Sequence, residues 1–130
     1  MAYKASKQRD MVYHYMQKQH LHLSAEEIYK GINQNGQSIS LATVYRNLGI
    51  LEDMGLIHKI ALPHGVIYEA DLSKHDHFYC EECHTLYDLE DTYDASSEGK
   101  IMHNDVVGSL VGHELTYLGV CKHCMEQKQQ

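Results

Sequence analysis

The 130-residue chain has no cysteine outside two Cys-x-x-Cys pairs, no long apolar run and no net positive charge. Each absence excludes something. Residues 1–20 lack an apolar segment followed by a cleavage site, so a secretory leader is not expected, and the thiols are expected to stay reduced in the cytoplasm. No stretch approaches the ~20 apolar residues that span a bilayer, so no membrane partner is expected. Repeats and low-complexity tracts are absent, and so is a His-Glu-x-x-His helix, which leaves a zinc-dependent hydrolase without its usual scaffold.

What is present begins with the cysteines. Cys80-Glu81-Glu82-Cys83 and Cys121-Lys122-His123-Cys124 contain all four. Two residues between cysteines let one tight turn offer both sulfurs to a single ion, and two such turns complete a tetrahedral zinc shell. Four thiolates leave no position for water or substrate, so this Zn(II) is read as structural. The competing use is a thioredoxin-like redox pair, which needs one such motif at a helix start beside a strand-helix-strand pattern.

The formal charge of −7 conceals a split. Residues 1–60 carry seven Lys and Arg against five Asp and Glu, and residues 61–130 carry four against thirteen. One half suits a polyanion and the other collects cations. At this length, with 43% hydrophobic residues, the chain can bury one ordinary core or two small ones, the second needing a staple such as zinc. Of the eleven histidines, His14, His20, His58, His64 and His103 read as surface polar residues.

Periodicity predicts a first helix from Ser6 to Gln19, with Met11, Val12, Tyr15 and Met16 inward. After a break at His20-Leu21-His22-Leu23, the capping box Ser24-Ala25-Glu26-Glu27 opens a second helix to Asn33. Ser40 caps a third, Leu41 to Met54, with Val44, Leu48 and Leu51 inward and Thr43, Tyr45, Arg46 and Asn47 outward. Gly55 stops it. The period then becomes extended over Leu56–Ile60, turns at Pro63-His64-Gly65 and continues over Val66–Glu69. Three helices and a hairpin predict a winged helix-turn-helix, with the third helix free to enter a DNA major groove. Residues 70–74 read as a hinge between a DNA-binding domain, 1–69, and a dimerisation and metal-binding domain, 75–130. In the latter, Phe78-Tyr79, Leu86–Leu89 and Leu115–Val120 read as strands and Ser97–Val107 as a helix. The fold class is α+β, a winged helix-turn-helix followed by a small α/β domain with a four-cysteine zinc site.

Taken together, Gln8-Arg9, Ser24-Ala25-Glu26-Glu27-Ile28-Tyr29, Ser40-Leu41-Ala42-Thr43-Val44-Tyr45-Arg46-Asn47-Leu48, Gly55-Leu56-Ile57, His75-Asp76-His77 before the first cysteine pair and His113 eight residues before the second resemble the ferric uptake regulator family of metal-dependent repressors. Their order and spacing cover almost the whole chain. The resemblance implies a homodimer that binds an AT-rich palindromic operator in double-stranded DNA when a regulatory metal is present. Ser40, Thr43, Tyr45, Arg46 and Asn47 match its DNA-contacting helix. Arginine suits phosphate or guanine, and a tyrosine ring suits thymine methyls.

His22, Glu69, His75, His77 and Asp88 match the family's regulatory ligands, a nitrogen and oxygen set suited to Fe(II) or Mn(II). Such an ion would tie the two domains together through the hinge. Glu69 stands where zinc sensors tend to have cysteine. Asp88 resembles peroxide sensors and Glu69 resembles iron sensors, so a peroxide-responsive regulator is expected, with an iron-responsive one as the alternative. In the peroxide branch bound Fe(II) and hydrogen peroxide oxidise a ligating histidine, by position His22 or His75. A third family site is matched by Asp76 and His113, with Glu98 as its acid, although Lys74 stands where those relatives place histidine.

Three further departures are evident. His84 replaces the glycine usual after Cys83, Gly49 interrupts the third helix, and so few residues precede Gln8 that the extra N-terminal helix of many relatives is expected to be missing, with weaker DNA affinity. The readings from other classes are the zinc-dependent hydrolase, through His75, His77 and Asp88, and a zinc-stapled protein-interaction module.

Overall fold

A computed structural model describes residues 3–19, 22–90 and 92–128. The chain divides into two compact units, Met1–Leu72 and Ser73–Gln130. Its architecture is α+β, a winged helix-turn-helix and an α/β unit.

The first unit contains α1 (Lys7–Gln19), α2 (Ala25–Gln34), α3 (Leu41–Asp53), β1 (His58–Leu62) and β2 (Gly65–Glu69). Ile28 and Ile32 lie one helical turn apart, as do Val12 and Met16, and Val44, Leu48 and Leu51 line one face of α3. All seven are at most 2% exposed and form one core with Ile57 and Tyr68. Each such side chain stabilises by about 1.5–3 kcal/mol on burial. The capping box forms as the sequence predicts: the Ser24 hydroxyl accepts from the Glu27 amide at 3.1 Å, and the Glu27 carboxylate accepts from the Ser24 amide at 3.0 Å.

At the end of α3 the Gly55 amide donates to Glu52 and the Leu56 amide to Leu51, at 2.9 and 3.0 Å, with Gly55 at φ 75°. This paired closure needs a left-handed residue and uses up the Leu56 amide. It explains why β1 starts at His58 and not at Leu56. β1 and β2 pair antiparallel, with Ile60 opposite Ile67. Leu23 and Tyr68 exchange backbone hydrogen bonds of 3.0 and 2.8 Å, which carries the segment before α2 alongside β2. Within the break before α2, His20 and Leu21 lie outside the described residues.

The second unit contains β3 (Asp76–Cys80), β4 (Leu86–Leu89), α4 (Ser97–Met102), β5 (Thr116–Gly119) and α5 (Lys122–Lys128). β3 is the central strand, antiparallel to β4 and parallel to β5. Tyr79 and Cys80 are fully buried on it. The helix expected to reach Val107 ends at Met102, because the Asn104 side chain accepts from the Val106 amide at 3.0 Å and favours a turn. α5 had no counterpart in the sequence reading, and it bears Cys124. Among the described residues no helix is long and apolar enough to cross a membrane.

Candidate metal centres and nucleic-acid interface

Cys80 ends β3, Cys83 follows in the turn toward β4, and Cys121 and Cys124 flank the start of α5. All four are reduced, and their sulfurs lie within 4.8 Å of one another. Cys80 Sγ is 3.9 Å from Cys124 Sγ, and Cys83 Sγ is 4.0 Å from Cys121 Sγ. Zinc–sulfur bonds of about 2.3 Å in a tetrahedron require sulfurs about 3.8 Å apart. The spacing is that of a zinc shell.

Amide donors from Cys83 and Cys121 pull the Cys80 thiol down to about 6. Cys124, hydrogen-bonded to Cys121 and half-buried, is pushed up to about 12. Four thiolates cannot share this volume without a cation, and a coordinating divalent ion deprotonates them outright. His84 sits at φ 62° directly after the pair, which explains why glycine is usual there. Its backbone amide donates to the Cys80 carbonyl at 2.8 Å, and its ring lies 2.9 Å from the Tyr79 hydroxyl. A non-glycine residue in this conformation costs about 1–2 kcal/mol.

The second unit holds another donor set. Register places His77 opposite Asp88, so both side chains leave the same face of the sheet, and His75, two residues earlier, shares that face. His75 Nε2 lies 2.9 Å and His77 Nε2 3.3 Å from Asp88 Oδ1. His75 Nδ1 is 2.7 Å from the Ser73 carbonyl. A carbonyl only accepts, so Nδ1 carries a proton, and in the neutral ring Nε2 is left as a lone pair facing a carboxylate. Electron-rich atoms brought this close call for a cation between them.

In the first unit the bridge between Leu23 and Tyr68 sets the neighbouring residues side by side, and His22 Nε2 lies 2.9 Å from Glu69 Oε2. Glu69 is 4% exposed. This pair too is one imidazole and one carboxylate, donors that fit borderline divalent ions.

On α3, Tyr45 and Arg46 are exposed as the sequence predicts. The Tyr45 hydroxyl donates to Glu26 of α2 at 3.2 Å, a partner that sequence reasoning missed. Ser40 caps α3 by accepting from the Thr43 amide at 3.1 Å, and its hydroxyl also meets the Thr43 hydroxyl at 2.8 Å. Asn47, expected outward, is 3% exposed and donates to the Thr43 carbonyl at 2.9 Å. Its helical phase explains the error, since Asn47 is three residues from Val44 and four from Leu51 and shares their face. The structure therefore removes Asn47 from the exposed surface and gives it a role in the packing of α3.

Glu98 and His113 come together, Oε1 to Nδ1 at 2.9 Å, while Asp76 accepts from Thr92 at 2.9 Å. Among the described residues these three do not form a group with all donor atoms within 4.8 Å. Tyr93, not singled out by sequence, donates to Glu98 at 2.8 Å and stacks on His113.

A family model described as the ferric uptake regulator family matches residues 1–117. The peroxide-responsive repressor of Staphylococcus epidermidis is 28% identical, over 92% of this chain and 80% of that one. Among solved structures, the Helicobacter pylori ferric uptake regulator, with three functional metal-binding sites, is 30% identical with a TM-score of 0.79, over 94% of this chain and 82% of that one. The Campylobacter jejuni peroxide stress regulator is 31% identical with a TM-score of 0.68, over 90% and 88%. The chain belongs to the ferric uptake regulator family, metal-dependent transcription regulators that use structural zinc and a regulatory iron or manganese ion and bind DNA as dimers.

Proposed function

We propose that this protein is a peroxide-responsive repressor of the cytoplasm that senses through Fe(II) or Mn(II) held jointly by His22, Glu69, His75, His77 and Asp88. The observation that carries the reading is the His75 ring, whose Nδ1 is committed to the Ser73 carbonyl while its Nε2 faces Asp88 at 2.9 Å. That pair offers one imidazole nitrogen and one carboxylate oxygen, donors that fit such an ion. His22 and Glu69, paired at 2.9 Å in the first unit, supply donors of the same kind. An ion ligated from both would bias the hinge, residues 70–74, toward one arrangement of the winged helices in the homodimer, in proportion to its preference for that arrangement.

Tyr45 and Arg46 would then meet an AT-rich palindrome, with Ser40 and Thr43 at the start of the same helix near phosphates. Asp88 and the likeness to peroxide regulators of Staphylococcus epidermidis and Campylobacter jejuni support peroxide sensing. Glu69 and the likeness to the Helicobacter pylori regulator favour an iron-responsive regulator as the second reading. Bound Fe(II) supplies the means of cleaving the peroxide O–O bond. In net terms one peroxide oxygen ends on an imidazole carbon and the other leaves as water, a two-electron oxidation of the ring. His22 and His75 are the rings expected to take it.

Loading Fe(II), adding hydrogen peroxide and weighing tryptic peptides tests this. Gain of one oxygen on a peptide bearing His22 or His75, together with loss of operator binding, is expected. Unmodified histidines with operator binding intact would leave the iron-responsive reading in its place.

A further inference from the structure

We infer that the Lys74 ammonium is the resident cation of a polar cluster formed with Asp76, Tyr93, Glu98 and His113, and that this cluster therefore takes no divalent ion. All five residues belong to the second unit, and the inference stands apart from the sensing site.

Glu98 Oε1 is already engaged twice, by the Tyr93 hydroxyl at 2.8 Å and by His113 Nδ1 at 2.9 Å. A carboxylate only accepts, so Nδ1 carries the proton of this contact. The Tyr93 ring lies flat on His113, with centroids 4.5 Å apart and planes 5° apart, which fixes the imidazole in that pose.

The position a Cβ would take on Gly112 is 3.6 Å from Lys74 Nζ and 4.0 Å from Glu98 Oε1, so the two charges share one small region. Gly112 has φ 151°, a conformation that favours glycine. Hydrogen bonds from Tyr93 and His113 lower the Glu98 pKa, and the Lys74 charge acts in the same direction. Asp76 adds a second negative charge. It is 1% exposed, and its Oδ2 accepts from Thr92 while its Oδ1 has no hydrogen-bond partner. Its field reaches Tyr93, whose pKa it helps to raise after Glu98 and burial. Two buried or half-buried carboxylates call for positive charge, and a tethered ammonium supplies it without an ion. A divalent cation bound to Glu98 would compete with the Tyr93 hydrogen bond and meet the Lys74 charge.

The test is metal stoichiometry in the full chain carrying His77→Ala and Asp88→Asn, which disable the regulatory site and leave the four-cysteine zinc as the internal standard. With Zn(II) alone as probe, one equivalent per chain is expected. Adding Lys74→His should raise this to two, and adding His113→Ala should return it to one. Lys74→Met, which keeps the stem and removes the charge, should lower the melting temperature, with recovery on adding Zn(II). Circular dichroism establishes that each variant is folded. A second equivalent in the background protein that His113→Ala abolishes would overturn the inference. So would a folded Lys74→His variant that gains no zinc, or a Lys74→Met variant with unchanged melting.

Discussion

Replacing Asp88 by Asn changes one atom of the proposed regulatory site. The carboxylate lies 2.9 Å from His75 Nε2 and 3.3 Å from His77 Nε2. In the absence of metal, an amide N–H at the same position can donate to a lone pair that the carboxylate faces unfavourably. Removing the charge should therefore leave the metal-free fold at least as stable, with a melting temperature unchanged or raised. For the ion the effect is opposite. Unit charges about 4 Å apart near a protein surface interact by about 4 kcal/mol, and the 44% exposure of Asp88 reduces this to about half. A loss of about 2–4 kcal/mol in ion binding corresponds to about 30- to 1000-fold in Kd. Calorimetric titration with Mn(II) measures the affinity, and melting of the chelated protein measures the fold. Unchanged Mn(II) affinity, or a metal-free variant that melts well below the parent, would refute the reasoning, because the carboxylate would then be a stabilising partner of protonated histidines and not a ligand.

The remaining predictions concern other parts of the molecule. Stripping zinc with a strong chelator, or making Cys80→Ser, should unfold the second unit while the helical first unit keeps its far-ultraviolet signal; a second unit that melts unchanged would contradict the staple. Arg46→Ala should weaken operator binding and reduce the slope of log K against log salt by about 1, and an unchanged slope would remove Arg46 from the phosphate contacts. Gly49→Ala should raise the melting temperature, by up to about 1 kcal/mol of added stability, since Gly49 is helical and nothing lies within 4 Å of its added Cβ. A destabilised Gly49→Ala variant would mean that this face is packed.

Local chemistry was legible in the chain where short spacing decides geometry. The cysteine pairs, the Ser24 capping box and the stop at Gly55 each depend on a few adjacent residues, and each forms as read. His75 and His77 could be placed on one face because alternation in a strand leaves no choice. Asn47 is polar, but its spacing of three from Val44 and four from Leu51 puts it on the buried face of α3, where helical phase outweighs polarity. α5 escaped notice because seven residues with two cysteine-flanking turns carry too little period to register. The grouping of Glu98 and His113, with Lys74 beside them, was legible only through the family resemblance, and the part of Tyr93 was not legible at all, since the strand pairing and turns that bring these positions together are set by the sheet and not by any local pattern. His84 lies between these cases: its departure from glycine was visible, and its left-handed backbone gives the reason.

In the proposed function, one ion ligated by His22 and by His75, His77 and Asp88 makes DNA binding conditional on metal. Operator binding by parent protein and by His22→Ala, each with and without Mn(II), measures it most directly. The parent should bind tightly only with Mn(II), and His22→Ala should lose this dependence while its zinc content stays intact. Equal metal-dependent binding by the two proteins would contradict it.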